Sequence, residues 1–126
     1  MGHLALIIED NVELAYIYGA ALEALDYQTE NITDGKKALQ RLTEIVPALI
    51  ILDMNLPHVS GHYIYKKLRS DEQFARTPII IATANQLIAD ALREEIGGLD
   101  RLLVKPVSPS QLRNVAKEIL EQIPRS

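Results

Sequence analysis

The chain has 126 residues, a net charge of -4 and no cysteine, and 48% of it is apolar. One globular domain spanning residues 1–126, large enough for a hydrophobic core, is the expectation; disulfides, thiolate metal sites and cysteine nucleophiles are excluded. No basic stripe points to nucleic acid, no apolar run reaches the ~20 residues of a membrane span, and no signal peptide precedes the first apolar run, so a cytoplasmic protein that binds neither nucleic acid nor membrane is expected.

Apolar runs alternate five times with segments of helical period. The first strand is read over His3–Ile8, ending in the acids Glu9 and Asp10. Helix one follows over Val12–Leu25, with Leu14, Ile17, Tyr18, Ala21, Leu22 and Leu25 on one stripe. Tyr27–Ile32 is a more polar strand, suited to a sheet edge. Asp34–Ile45 has the period of a second helix. Ala48–Leu52 is a strand buried on both faces, closed by Asp53. After Leu56-Pro57, Gly61 helps turn the chain into a short helix, His62–Arg69. Pro78–Ala82 is wholly apolar and is followed by Thr83-Ala84. Gln86–Ile96 is amphipathic and stopped by Gly97-Gly98. Leu102–Val104 lies in a fifth strand, followed by Lys105-Pro106. Ser108-Pro109-Ser110-Gln111 reads as a capping box with proline at the first helical position, opening the last helix.

Five strand-then-helix repeats give an α/β domain with a parallel sheet, and right-handed crossovers leave few topologies. In such folds the chemistry sits at the carboxyl ends of the strands. Those ends carry Glu9-Asp10, Asp53, Thr83 and Lys105, while Thr33-Asp34 after the second strand belongs to a helix cap. With the order 2-1-3-4-5, strands one and three adjoin at the switch point and three carboxylates converge. Two like charges ~4 Å apart cost roughly 4 kcal/mol at an effective dielectric near 20, so the cluster asks for a proton or a cation. An oxygen-only set suits Mg²⁺, with the Asn55 backbone carbonyl as a further ligand. Lys105 supplies a positive charge opposite, Thr83 a hydroxyl donor, and Asp53 becomes a candidate nucleophile for an aspartyl-phosphate.

Taken together, Glu9-Asp10, Leu52-Asp53-x-x-x-Pro57 with Gly61, Thr83-Ala84 and Lys105-Pro106 resemble the response-regulator receiver domain of two-component signalling, chemotaxis regulators included, across essentially the whole chain. The resemblance implies a flavodoxin-like, doubly wound sheet of order 2-1-3-4-5 with five helices. It implies Asp53 as phospho-acceptor, Glu9, Asp10, Asp53 and the Asn55 carbonyl as Mg²⁺ ligands, and Thr83, Ala84 and Lys105 as the phosphate-sensing set. It further implies a cis Lys105–Pro106 bond that aims the lysine into the site. The expected partners are a sensor histidine kinase or phosphotransfer protein and a downstream protein target, with homodimerisation through helices four and five a further option. Such a chain promotes its own phosphorylation and dephosphorylation and is not an enzyme with a turnover substrate. Receivers usually carry Tyr or Phe three residues before the lysine, where this chain has Leu102, which implies altered switching.

Two other readings compete. An aspartate-nucleophile phosphatase usually has a second acid two residues after the nucleophile, the place held here by Asn55. A scaffold or dimerisation module without phosphotransfer is kept open by Leu102. Among the remaining residues, His3, His58 and His62 read as surface or loop residues, Tyr16–Tyr18 and Tyr63–Tyr65 as helix-packing pairs, and Lys36-Lys37 and Lys66-Lys67 as solvated faces. Asp10 or Asn11 is a candidate cap of helix one.

Overall fold

The computed structural model describes residues 3–123. Five strands, β1 (Leu4–Ile8), β2 (Gln28–Ile32), β3 (Leu49–Asp53), β4 (Ile79–Thr83) and β5 (Arg101–Val104), alternate with α1 (Val12–Glu23), α2 (Gly35–Arg41), α3 (Gly61–Arg69), α4 (Gln86–Arg93) and α5 (Pro109–Gln122). The strands pair in parallel in the order β2-β1-β3-β4-β5, as expected. β3 and β4 are buried at every residue, which is why they read as unbroken apolar runs, whereas the mixed pattern of β2 marks the edge.

Helices cover both faces. On one, Ala15, Tyr18 and Leu22 of α1 and Leu112, Ala116 and Ile119 of α5 pack on Ile7, Ile51, Ile80 and Leu103. On the other, Ala38, Ile64, Leu68 and Leu92 pack on Leu6, Ile50, Leu52 and Ile81. Alternate strand residues point to opposite faces, so each buried strand feeds both cores. The tyrosine pairs are split, contrary to the packing expectation. Tyr18 and Tyr65 are buried, but Tyr16 is 78% and Tyr63 54% exposed, because residues two apart on a helix lie on opposite sides. Ile17 likewise falls at the exposed margin of its stripe.

Three helices stop short of their periodic patterns. α1 ends at Glu23, and the next two residues form a turn in which the Leu25 N–H donates to the Leu22 carbonyl. α2 ends at Arg41, where the β-branched Thr43, Ile45 and Val46 precede Pro47 and favour turns over helix. α4 ends at Arg93, three residues before Ile96, and the left-handed Gly98 (φ 62°) turns the chain toward β5. Ser108 accepts from the Gln111 N–H at 3.0 Å; the reciprocal side-chain bond of a full capping box is absent among the described residues. An additional 3-10 turn, Glu72–Phe74, capped by Asp71, tucks Phe74 into the core.

Gly61 fixes where α3 begins. A Cβ there would collide with the Asp53 carbonyl oxygen and the Met54 Cα, so the helix starts against the end of β3. The Gly61 N–H donates to the Met54 carbonyl at 3.2 Å.

At the opposite edge of the sheet, the buried Asp100 accepts from the Tyr65 hydroxyl (2.8 Å), Arg69 Nε and Nη2 (2.9 and 2.8 Å) and the Ile79 N–H (3.0 Å). Arg69 also donates to the Phe74 and Thr77 carbonyls. Burial and the bond to Asp100 push the Tyr65 phenol up to about 12. Asp100→Ala strands a guanidinium and a backbone N–H together. We expect it to lower the unfolding free energy by about 3 kcal/mol in urea titration, with the chemistry at the other edge retained.

Candidate functional site

The site forms where β1, β3, β4 and β5 end. Backbone bonds hold these ends in place: Glu9 N–H to the carbonyl of Ile32 on β2 (3.1 Å), Met54 N–H to Ala82 (3.1 Å) and Lys105 N–H to Thr83 (2.8 Å). Asp53 terminates β3 and is 2% exposed; Glu9 is 1% exposed. Lys105 Nζ donates to Glu9 Oε1 at 2.8 Å and stands 3.5 Å from Asp53 Oδ1. Asp53 Oδ1 also accepts from the Asn55 N–H at 3.1 Å. Glu9 Oε2 accepts from the Asn11 N–H at 3.1 Å, while the Asn11 side chain caps α1 by accepting from Leu14 N–H. Capping therefore falls to Asn11 and leaves Asp10, which is exposed, at the mouth of the site.

Glu9, Asp10 and Asp53 each offer an oxygen lying within 4.8 Å of the other two. Octahedral Mg²⁺ with bonds of about 2.1 Å separates opposite ligand oxygens by about 4.2 Å. The three oxygens thus fit such an ion with small adjustment, and their hardness suits it. Without it, burial pushes the Glu9 carboxyl up to about 7; the Lys105 ammonium and Asn11 N–H oppose this and Asp53 adds to it. Burial pulls the Lys105 amine down, but its bond to Glu9 and the charge of Asp53 outweigh that and raise it.

Thr83 is buried at the end of β4, and its hydroxyl oxygen accepts from the Asn85 N–H at 3.1 Å. Asn85 in turn caps α4. Ala84, between them, is exposed, as is Asn55. The Lys105–Pro106 peptide is cis. Leu102 pairs with Ile81 across the sheet and is half-buried against the core under α3 and α4, on the same sheet face as Thr83 and two residues below it.

The histidines lie outside this constellation. His58 Nδ1 sits 2.6 Å from Asp34 Oδ2, and His62 Nε2 lies 3.1 Å from Glu95 Oε2, which also pairs with Lys66. Sequence reasoning took Tyr18 for packing alone. Its ring does pack, but its hydroxyl is buried within reach of the site's charges. A polar tip within an otherwise aliphatic stripe was the available signal.

A family model described as "Response regulator receiver domain" matches residues 5–117. The polar-differentiation response regulator DivK of Brucella ovis is 33% identical over 115 residues, covering 91% of this chain and 94% of that protein. The signal receiver domain of a signal transduction histidine kinase from Syntrophus aciditrophicus superposes with a TM-score of 0.85 at 28% identity, covering 99% of this chain and 95% of that one. A receiver domain of a Pseudomonas aeruginosa sensor histidine kinase, solved with magnesium in its active-site cleft, gives 0.81 at 28% identity over 97% of this chain and 100% of that one. With this fold, strand order and arrangement of strand ends, the chain belongs to the response regulator receiver family of two-component signalling.

Proposed function

We propose that Asp53 accepts a phosphoryl group from the phosphohistidine of a sensor histidine kinase or phosphotransfer protein, in a Mg²⁺-dependent reaction. The observation that carries this reading is the buried Asp53 carboxylate 3.5 Å from the Lys105 ammonium, with an oxygen of Glu9 and one of Asp10 within 4.8 Å. Asn55 occupies Asp53 Oδ1, which leaves Oδ2 to attack phosphorus. The P–O bond forms as the P–N bond to the donor imidazole breaks, and the departing imidazole nitrogen takes up a proton. Glu9, Asp10, Asp53 and the Asn55 carbonyl would hold Mg²⁺, which when bound neutralises charge on the phosphoryl oxygens. Lys105 neutralises it from the other side. Thr83, once it exchanges its bond with Asn85 for one to a phosphoryl oxygen, drags the start of α4 with it.

That movement biases the surface built by α4, β5 and α5 between two arrangements, which a downstream protein target reads. Homodimerisation through α4 and α5 is one form that output takes. Asn55 and Asn85, exposed beside the acceptor, tune water access and hence the lifetime of the acyl phosphate. The chain is a phospho-acceptor that promotes its own labelling and hydrolysis, not an enzyme with a separate substrate. In this reading the chain acts in the cytoplasm, and its partners are proteins, not nucleic acid or membrane. Leu102 favours one variation on this reading. An aliphatic side chain already packed against the core gives the Thr83 movement less to swing than an aromatic ring, so the coupling to β5 is weaker.

Three outcomes test this. Millimolar Mg²⁺ should raise the melting temperature, since it binds the folded cluster alone; absence of any shift counts against the site. Acetyl phosphate with Mg²⁺ should add one phosphoryl group, mapped by mass spectrometry to Asp53, and Asp53→Ala should abolish it while the protein stays folded.

The third is a pH profile. In the metal-free chain the folded Glu9 keeps a proton that the unfolded chain loses near 4.5. Stability should therefore fall by on the order of 3 kcal/mol as pH rises from about 4.5 through about 7. Asp34 and Glu95, held low by their partners, lose support only below their ordinary values, outside that window. Urea midpoints from pH 5 to 8 in EDTA should show the decline, and Glu9→Gln should flatten it.

A further inference from the structure

Tyr18 carries the one buried side-chain oxygen or nitrogen without a hydrogen-bond partner among the described residues. The residue is 1% exposed and lines, with Ile51, Ala82, Leu103 and Val107 among others, a narrow gap with no space for a water-sized sphere. Buried hydroxyls are normally paired, and an unpaired one forfeits its hydration without return. Phenylalanine would fill the same space without that loss, so packing does not account for the oxygen.

The position of the gap does. Ile51 and Leu103 lie two residues before Asp53 and Lys105 on β3 and β5. Alternate strand residues share a face and stand about 6.6 Å apart, so Asp53 at the end of β3 and Lys105 just after β5 follow the lining of the gap on the same side of the sheet. The charges that act on it agree. Burial pushes the phenol above its ordinary range, Lys105 pulls it down, and Glu9 and Asp53 push it up.

The Lys105 ammonium has three N–H donors. In this state one goes to Glu9 Oε1, with Asp53 Oδ1 beyond at 3.5 Å. Loading the site changes that balance: Glu9 supplies one of the oxygens a cation claims, and Asp53 becomes an acyl phosphate. We infer that Tyr18 is a positioning residue for Lys105, its hydroxyl accepting an ammonium N–H released from Glu9 so that the amine stays against the phosphoryl oxygens. This rests on the proposed phosphotransfer to Asp53.

The test is Tyr18→Phe in the full chain, with labelling of Asp53 by acetyl phosphate followed against Mg²⁺ concentration. Loss of one hydrogen bond to a charged group should lower the plateau labelling rate by about tenfold. The Mg²⁺ concentration for half-maximal rate should rise by no more than that factor, and the metal-free melting temperature should hold or rise. An unchanged plateau overturns the inference. So does a lower plateau that comes with a lower melting temperature, which marks Tyr18 as structural. Failure of the parent reading looks different, because wild-type protein would then carry no label on Asp53.

Discussion

The ammonium of Lys105, set between Glu9 and Asp53, is the contact on which the rest of this molecule depends. Two carboxylates buried at the ends of neighbouring strands repel each other by several kcal/mol at such range, and the protein keeps them there with one lysine drawn from two strands away. Only a sheet with β1 beside β3 and with β4 and β5 following on the same side brings these residues to one point. The cluster is poorly compensated: the Glu9 carboxyl is pushed up to about 7 even with Lys105 against it. Folding energy from the two aliphatic cores is spent to hold a site that an ion and a phosphoryl group would relax.

The two faces of the sheet divide the work at that site. Asp53 and Lys105 continue the face covered by α1 and α5, above Ile51 and Leu103. Thr83 and Leu102 belong to the other, above the core shared with α3 and α4. Charge is gathered on one side, and in the proposed reading the mechanical consequence falls on the other. Thr83 would link the two, since its oxygen accepts from the N–H of the residue that caps α4.

Most of the fold was legible because fully buried parallel strands leave apolar runs too plain to mistake, and the site was legible because such sheets put reactive side chains where those runs end. Glu9, Asp10, Asp53, Thr83 and Lys105 all stand next to a strand boundary. What escaped were features set by contact across the chain. Asp100 and Arg69, 31 residues apart, look like ordinary surface charges until the fold brings them together. Asn11 was read as a cap, but its N–H also steadies Glu9. The early ends of α2 and α4 follow from β-branched and glycine residues overriding a periodicity that persists beyond them. Tyr16 and Tyr63 are exposed because each stands two residues from the buried tyrosine of its pair, on the opposite side of the helix.

Gly61 carries a lesson about how freely this architecture can vary. Surface connections in α/β proteins ordinarily absorb insertions and deletions at little cost. The segment 54–60 is denied that latitude, because its far end is clamped by van der Waals contact onto the backbone of Asp53 itself. Adding or removing a residue there would shift Asp53 together with α3, so changes of length are better absorbed in connections at the opposite end of the sheet, remote from that carboxylate.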